Sequence, residues 1–169
     1  MSQRSFSSFN TALLVRDAHG RYALASADQI LEAARQVIDQ KMLRGTSFSS
    51  PVAVKEYLGA KLAGYEHEVF AVLFLDSQLR LIDYAEMFHG TIDSASVYPR
   101  ELVKEALRVN AASVILSHNH PSGNPEPSAA DKLLTQRLKD ALALVEVRIV
   151  DHVIVAGSAT TSFAERGLI

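Results

Sequence analysis

The sequence predicts one α/β domain built on a mixed sheet, preceded by a short helical extension. Three observations carry this expectation. The run Val69-Phe70-Ala71-Val72-Leu73-Phe74-Leu75 has no polar member and reads as a strand buried on both faces. Segments with apolar residues three and four apart lie on either side of it. Strands and helices interleave without regular alternation, so the sheet is expected to be mixed, in an α/β or α+β chain.

A chain of 169 residues can bury one sizeable core. Its 48% apolar and 21% charged residues are those of an ordinary globular protein. The run at 69–75 is too short to span a bilayer, and the opening Met-Ser-Gln-Arg-Ser-Phe-Ser-Ser has no apolar signal segment. Cysteine is absent, which excludes disulfides and thiolate ligands. A cytoplasmic protein is expected, in which any metal must sit on histidine and carboxylate. Residues 1–49 carry six Lys/Arg against four Asp/Glu, and residues 50–169 carry eleven against fifteen. The main body is therefore acidic, whereas a nucleic-acid module shows a basic patch. Direct nucleic-acid binding is doubtful on this ground.

Residues 1–26 are ambiguous, with a turn at Asp17-Ala18-His19-Gly20. Ile30, Leu31, Ala34, Val37, Ile38 and Met42 place a helix over 28–43. Arg44 to Ser50 is rich in Gly, Ser and Thr and reads as a linker. It divides an N-terminal extension with one helix, 1–49, from a main domain, 50–169. Ser50-Pro51 opens a helix as N-cap and first-turn proline, ending near Gly64. Strands at 69–75 and 79–88 form a hairpin across Asp76-Ser77-Gln78. Pro99 opens a helix with Leu102, Val103, Ala106 and Leu107 on its apolar face. Then come a short buried strand at 112–117, a helix at 128–144, a strand at 147–156 and a short tail from Ser162.

The chemistry concentrates between Ser117 and Asp131. A strand alternates its side chains, so His118 and His120 point one way and Asn119 the other. Pro121, Pro125 and Pro127, with Gly123, stiffen the loop that follows. Asp131 sits one turn into the next helix, where it can supply a carboxylate oxygen. Two imidazoles and a carboxylate make a three-ligand site with one position open, which suits catalytic zinc. His-x-His alone is a weak motif, and Ser128-Ala129-Ala130-Asp131 equally reads as a capping arrangement. His152 reads as a structural histidine, with an outer-shell metal role as its alternative. His19, His67 and His89 have no comparable context. Arg100 and Glu101 fit a helix first turn, and Ser122 and Asn124 fit either turn chemistry or substrate contact.

His-x-His-Pro followed by Ser-x-x-Asp resembles the JAMM signature of JAB/MPN-domain metalloproteins. His118-Asn119-His120-Pro121-Ser122-Gly123-Asn124-Pro125-Glu126-Pro127-Ser128 is similar to the bacterial RadC-type branch. So are Phe88-His89-Gly90-Thr91, Ser96-Val97-Tyr98-Pro99-Arg100-Glu101 and the tail Ser162-Phe163-Ala164-Glu165-Arg166-Gly167-Leu168. The resemblance covers residues 50–169. It implies an MPN fold of the cytidine-deaminase-like kind, a curved mixed sheet flanked by helices, with zinc on His118, His120 and Asp131. It further implies a water activated by zinc and by a glutamate before the domain's first strand, here Glu68. Glu66 and Glu86 are the rival carboxylates. Ser128 would hydrogen-bond the water or the developing oxyanion.

The resemblance thus implies a zinc-dependent peptidase or isopeptidase acting on an unidentified peptide or protein. Its rival is a DNA-repair-associated accessory protein of the RadC type whose metal site is structural or vestigial; a third reading is a scaffold. Residues 1–49 show no Gly-rich helix-hairpin-helix of the kind that usually precedes this domain. Oligomeric state and substrate are not legible in the sequence.

Overall fold

The computed structural model describes residues 13–16, 18–41, 44–90 and 96–169. Its main sheet has five strands: β3 (Val69–Leu75), β4 (Leu81–His89), β5 (Ser113–Asn119), β6 (Arg148–Ala156) and β7 (Ala159–Ser162). Their spatial order is β4-β3-β5-β6-β7. β5 and β6 are parallel, and every other neighbouring pair is antiparallel. The expected mixed α/β architecture is therefore present. A separate two-stranded ribbon, β1 (Leu14–Arg16) with β2 (Tyr22–Leu24), encloses the predicted turn, of which Asp17 lies outside the described residues.

Helices cover both faces. Helix α2 (Pro51–Leu62) lays Val54, Tyr57, Leu58 and Leu62 on Val69, Ala71, Leu73, Leu75, Ile115, Val153 and Val155. On the other face, Leu102 and Ala106 of α3 (Pro99–Arg108) and Leu138 and Leu142 of α4 (Ala129–Ala143) meet Phe70, Val72, Phe74, Val114, Leu116 and Ile149. Strand alternation divides the buried positions between these two cores, and a bulge at Val150 of β6 puts Ile149 on the face opposite Val153 and Val155. Helix α1 (Ala27–Lys41) docks on α2: Arg35 donates to the Lys61 and Ala63 carbonyls at 3.2 and 2.6 Å, capping the end of α2. Gly64, at φ 77°, follows that end, and a Cβ there would collide with Leu31 of α1.

Several boundaries differ from expectation for local reasons. The second hairpin strand begins at Leu81, not at Leu79. Asp76 accepts from the backbone of Gln78 and Arg80, and Leu79 turns left-handed at φ 58°, so the turn runs to Arg80. Leu107 is 56% exposed and does not belong to the buried face of α3. Ser50 occupies the N-cap with Pro51 following, but its side chain makes no capping bond. The predicted end of α1 at 42–43 lies outside the described residues. Residues 44–48, read as linker, hydrogen-bond along Leu79 and Leu81, and Phe48 is buried in the core. Strand β7 was not expected. Gly157, at φ 59°, takes the first position of a two-residue turn that folds it back on β6, a Gly-x hairpin signal.

Candidate metal centre

Strand β5 is buried at every position, and its carboxyl end opens beside the N-terminus of α4, the helix that crosses over to β6. Ligand sites form at such strand ends because the crossover returns a helix start to them. Alternation turns His118 to the α3/α4 face. His120 continues that alternation past the strand, its N–H donating to the Val155 carbonyl at 2.8 Å. The two Nε2 atoms stand 2.9 Å apart.

Helix α4 supplies the third group. Ser128 Oγ accepts from the Asp131 N–H at 3.1 Å, while Asp131 Oδ2 accepts from the Ser128 N–H at 2.7 Å. This is a complete capping box, and it also aims the carboxylate. Asp131 Oδ1 lies 3.3 Å from His118 Nε2, and Oδ2 lies 3.5 Å from His120 Nε2. The capping and ligating readings of Asp131 are thus compatible in one geometry.

This donor set fits a divalent ion. Two ligands at about 2.0–2.1 Å from a tetrahedral ion stand roughly 3.3 Å from each other. Here the two Nε2 atoms are 2.9 Å apart, and each lies 3.3 or 3.5 Å from its nearer oxygen of the Asp131 carboxylate. All three donor groups lie within 4.8 Å of one another, the sole such cluster of three among the described residues. His120 Nδ1 donates to the Asn124 carbonyl at 2.7 Å, which leaves Nε2 as the lone-pair nitrogen facing the site. His118 Nδ1 is bonded to His152 Nε2 at 2.8 Å, and His152 Nδ1 to Thr135 Oγ1 at 2.7 Å.

The electrostatics follow from this crowding. Burial pushes the Asp131 carboxyl up, but hydrogen bonds from His118 and His120 when their rings are protonated, and the attraction of His118, outweigh it and hold it far below the usual carboxylate range. The hydrogen bond to Asp131 raises His120 above an ordinary histidine, against the opposing effect of burial. Complete burial holds His152 well below the usual value, so its ring is neutral.

The centre lies in the wall of a cleft of about 660 Å³ lined by Glu68, Tyr98, His120, Asn124, Ser128 and Asp131, among others. Glu68, directly before β3, thus shares this cleft with Ser128. Glu86 does not. It lies on the α2 face, where its two oxygens accept from Tyr65 at 2.9 Å and Tyr84 at 3.0 Å. Glu66 lines a different groove, beside Leu31 and Arg35 of α1. His67 and His89 lie against each other, with ring centres 5.7 Å apart, outside the cluster. Arg100 is solvated beside Glu101. Ser122 and Asn124 line the cleft while also making turn hydrogen bonds.

Two contributors escaped sequence reasoning. Asn119, facing away from the histidines, is 4% exposed; its Oδ1 accepts from the Val69 N–H at 2.7 Å and its Nδ2 donates to the His67 carbonyl at 2.9 Å. It thereby grips the backbone on both sides of Glu68. Thr135 is a buried polar residue one turn past Asp131. Its signal was the i, i+4, i+7 spacing with Asp131 and Leu138 on the inner face of α4.

The chain is 59% identical over 150 residues to a UPF0758 protein of Vibrio cholerae serotype O1, covering 87% of this chain and 94% of the relative. A second UPF0758 protein of the same organism is 57% identical over 140 residues, covering 83% and 88%. A longer UPF0758 protein of Methylibium petroleiphilum is 58% identical over 140 residues, covering 83% of this chain and 63% of the relative. None of the described helices is long and apolar enough to cross a membrane. Residues 48–168 match the RadC-like JAB domain, and the chain belongs to that family.

Proposed function

We propose that this protein is a zinc-dependent hydrolase of peptide or isopeptide bonds. The observation that carries the reading is the convergence of His118 Nε2, His120 Nε2 and an Asp131 oxygen, with His120 and Asp131 lining an open cleft that also holds Glu68 and Ser128. His118, His120 and Asp131 would hold the ion. Bound zinc supplies Lewis acidity toward a carbonyl and a lowered pKa for water.

The chain's own groups perform the remaining steps. Glu68 takes a proton from the attacking water as its oxygen bonds to the carbonyl carbon. It then returns that proton to the nitrogen as the C–N bond breaks. Ser128 Oγ accepts the Asp131 N–H, so its own hydrogen is free to donate to the developing oxyanion. Asn119 keeps the Glu68 backbone in register with the strand end that carries the ligands.

The test is a metal-replete assay against a peptide library and a bacterial lysate, read by mass spectrometry. New termini produced by the wild type and absent with His120→Ala support the reading. Equal cleavage by both proteins, or zinc bound with no cleavage of any sample, contradicts it; the second result favours the RadC-type accessory role with a structural metal.

A further inference from the structure

His152 and the tail after β7 take no part in the steps above, yet they are among the most enclosed groups in the molecule. His152 has no exposed surface, and its ring is held between Phe163 at 4.7 Å and the edge-on ring of Phe70 at 5.8 Å. Phe163 is itself fully buried. The tail is fastened beside it by Asp151, which accepts from Ser162 Oγ at 2.6 Å and from the Ala164 N–H at 2.9 Å. The Phe163 N–H in turn donates to the His152 carbonyl at 2.9 Å. Such enclosure fixes where both ring nitrogens of His152 point.

Donor counting along this chain of contacts leaves one arrangement. The Asp131 carbonyl can only accept, so the 2.6 Å contact from Thr135 Oγ1 uses the single hydroxyl proton. Thr135 Oγ1 then has only lone pairs for His152, and His152 Nδ1 must carry the hydrogen across 2.7 Å. In the neutral His152 ring, Nε2 is therefore an acceptor. His118 Nδ1 must donate to it across 2.8 Å, and in the neutral His118 ring Nε2 is then left with its lone pair toward Asp131 and His120.

We infer that Thr135 and His152 are positioning residues that lock His118 in its Nδ1–H tautomer, with the Asp131 backbone carbonyl as the anchor of the relay. One ligand's main chain thereby sets the protonation pattern of another ligand's side chain. The tail from Ser162 to Ala164 acts as the clamp that holds the His152 ring in line. The inference rests on the zinc reading for its purpose, but not for its geometry, which exists without an ion.

Nitrogen-15 NMR of the histidine rings in the metal-free protein, at a pH high enough to leave the rings neutral, reads the tautomer directly. The expected result is His118 protonated at Nδ1 alone; protonation at Nε2 overturns the inference. Zinc titration then tests its consequence in three variants. His152→Phe keeps a flat ring against Phe163 but accepts nothing, and zinc affinity is expected to fall roughly 10- to 100-fold. Thr135→Val, which spares the ring, is expected to give a mixture of His118 tautomers. His152→Gln can accept from His118 and donate to Thr135, and is expected to restore most of the affinity. Unchanged affinity in folded His152→Phe, or a pure Nδ1–H tautomer in Thr135→Val, overturns the relay. A wild type that shows the expected tautomer but binds no zinc refutes the metal reading and leaves the relay standing.

Discussion

The two faces of the central sheet each carry a polar cluster, and they have opposite characters. On the α2 face, Glu86 has both oxygens occupied by tyrosine hydroxyls, and Lys61 pairs with Asp39 of α1 at 2.9 Å while lying over the Tyr84 ring. Burial first, and nearby Glu86 next, push Tyr84 far above an ordinary tyrosine. Burial likewise raises Tyr57, and the carboxylates of Asp39, Glu86 and Asp83 add to the effect, so neither phenol ionises near neutrality. Each of these groups has its partner within the fold. On the α4 face, two imidazole nitrogens and a carboxylate converge with their outer atoms bonded away from the cleft and their inner atoms facing one another. The first cluster fastens α1 and α2 to the sheet. The second holds donors in place for something the chain does not itself supply. A carboxylate near an active cleft is therefore judged by whether its oxygens are already spent.

This contrast can be broken experimentally. The largest effect is expected from His120→Ala, which removes a partly exposed ligand from the α4-face cluster at small structural cost. Zinc affinity should drop by more than roughly 100-fold, beyond the loss typical of outer-shell changes. Circular dichroism should report an unchanged fold. Next in size, Glu68→Gln should retain one zinc per chain and lose about 10²- to 10⁴-fold in hydrolysis, the range of a general base. Wild-type turnover by that variant would remove Glu68 from the mechanism.

Changes on the structural side should move stability and spare the metal. Glu86→Leu leaves two tyrosine hydroxyls without their acceptor and should cost about 1–3 kcal/mol in denaturant unfolding, with zinc binding unaltered. Loss of zinc in that variant would erase the distinction between the faces. Asn119→Leu should cost a similar amount, because the buried Val69 N–H loses its partner. It should also weaken hydrolysis, since the grip on Glu68 is gone.

The smallest effect is a pH dependence. His120 is raised above its usual pKa by its bond to Asp131. In the metal-free protein, the stability from that pair is full below the ordinary histidine value and is lost as pH rises through the raised one. Zinc competes with the same proton, so its affinity should fall by about tenfold per pH unit below the raised value. A flat affinity across that window, in a titration repeated from pH 8 downward in about half-unit steps, would mean that His120 is not a ligand.

Much of this was legible in the chain because it depends on local rules. The apolar run at 69–75, the period-two placement of His118 and His120, and the Ser128–Asp131 spacing each state their geometry within a few residues. What stayed hidden depends on distant pairing. Asn119 reaches back some fifty positions to Val69, and His152 meets Thr135 only after the crossover brings β6 beside β5. Glu66, Glu68 and Glu86 look alike in sequence. The Tyr65 and Tyr84 bonds hold Glu86 on the α2 face, the groove beside α1 takes Glu66, and the cleft takes Glu68; all three placements are products of tertiary packing. β7 was missed because four residues, Ala159 to Ser162, carry too little pattern; the turn glycine at 157 was its only local mark.

The central claim is that His118, His120 and Asp131 form one metal centre. Calorimetric titration of zinc into the metal-free full chain tests it most directly, with Glu86→Leu and His120→Ala measured alongside. One ion per chain in the wild type and in Glu86→Leu, with none in His120→Ala, is the predicted result. Zinc retained undiminished by His120→Ala, or a wild type that binds none, would contradict the account.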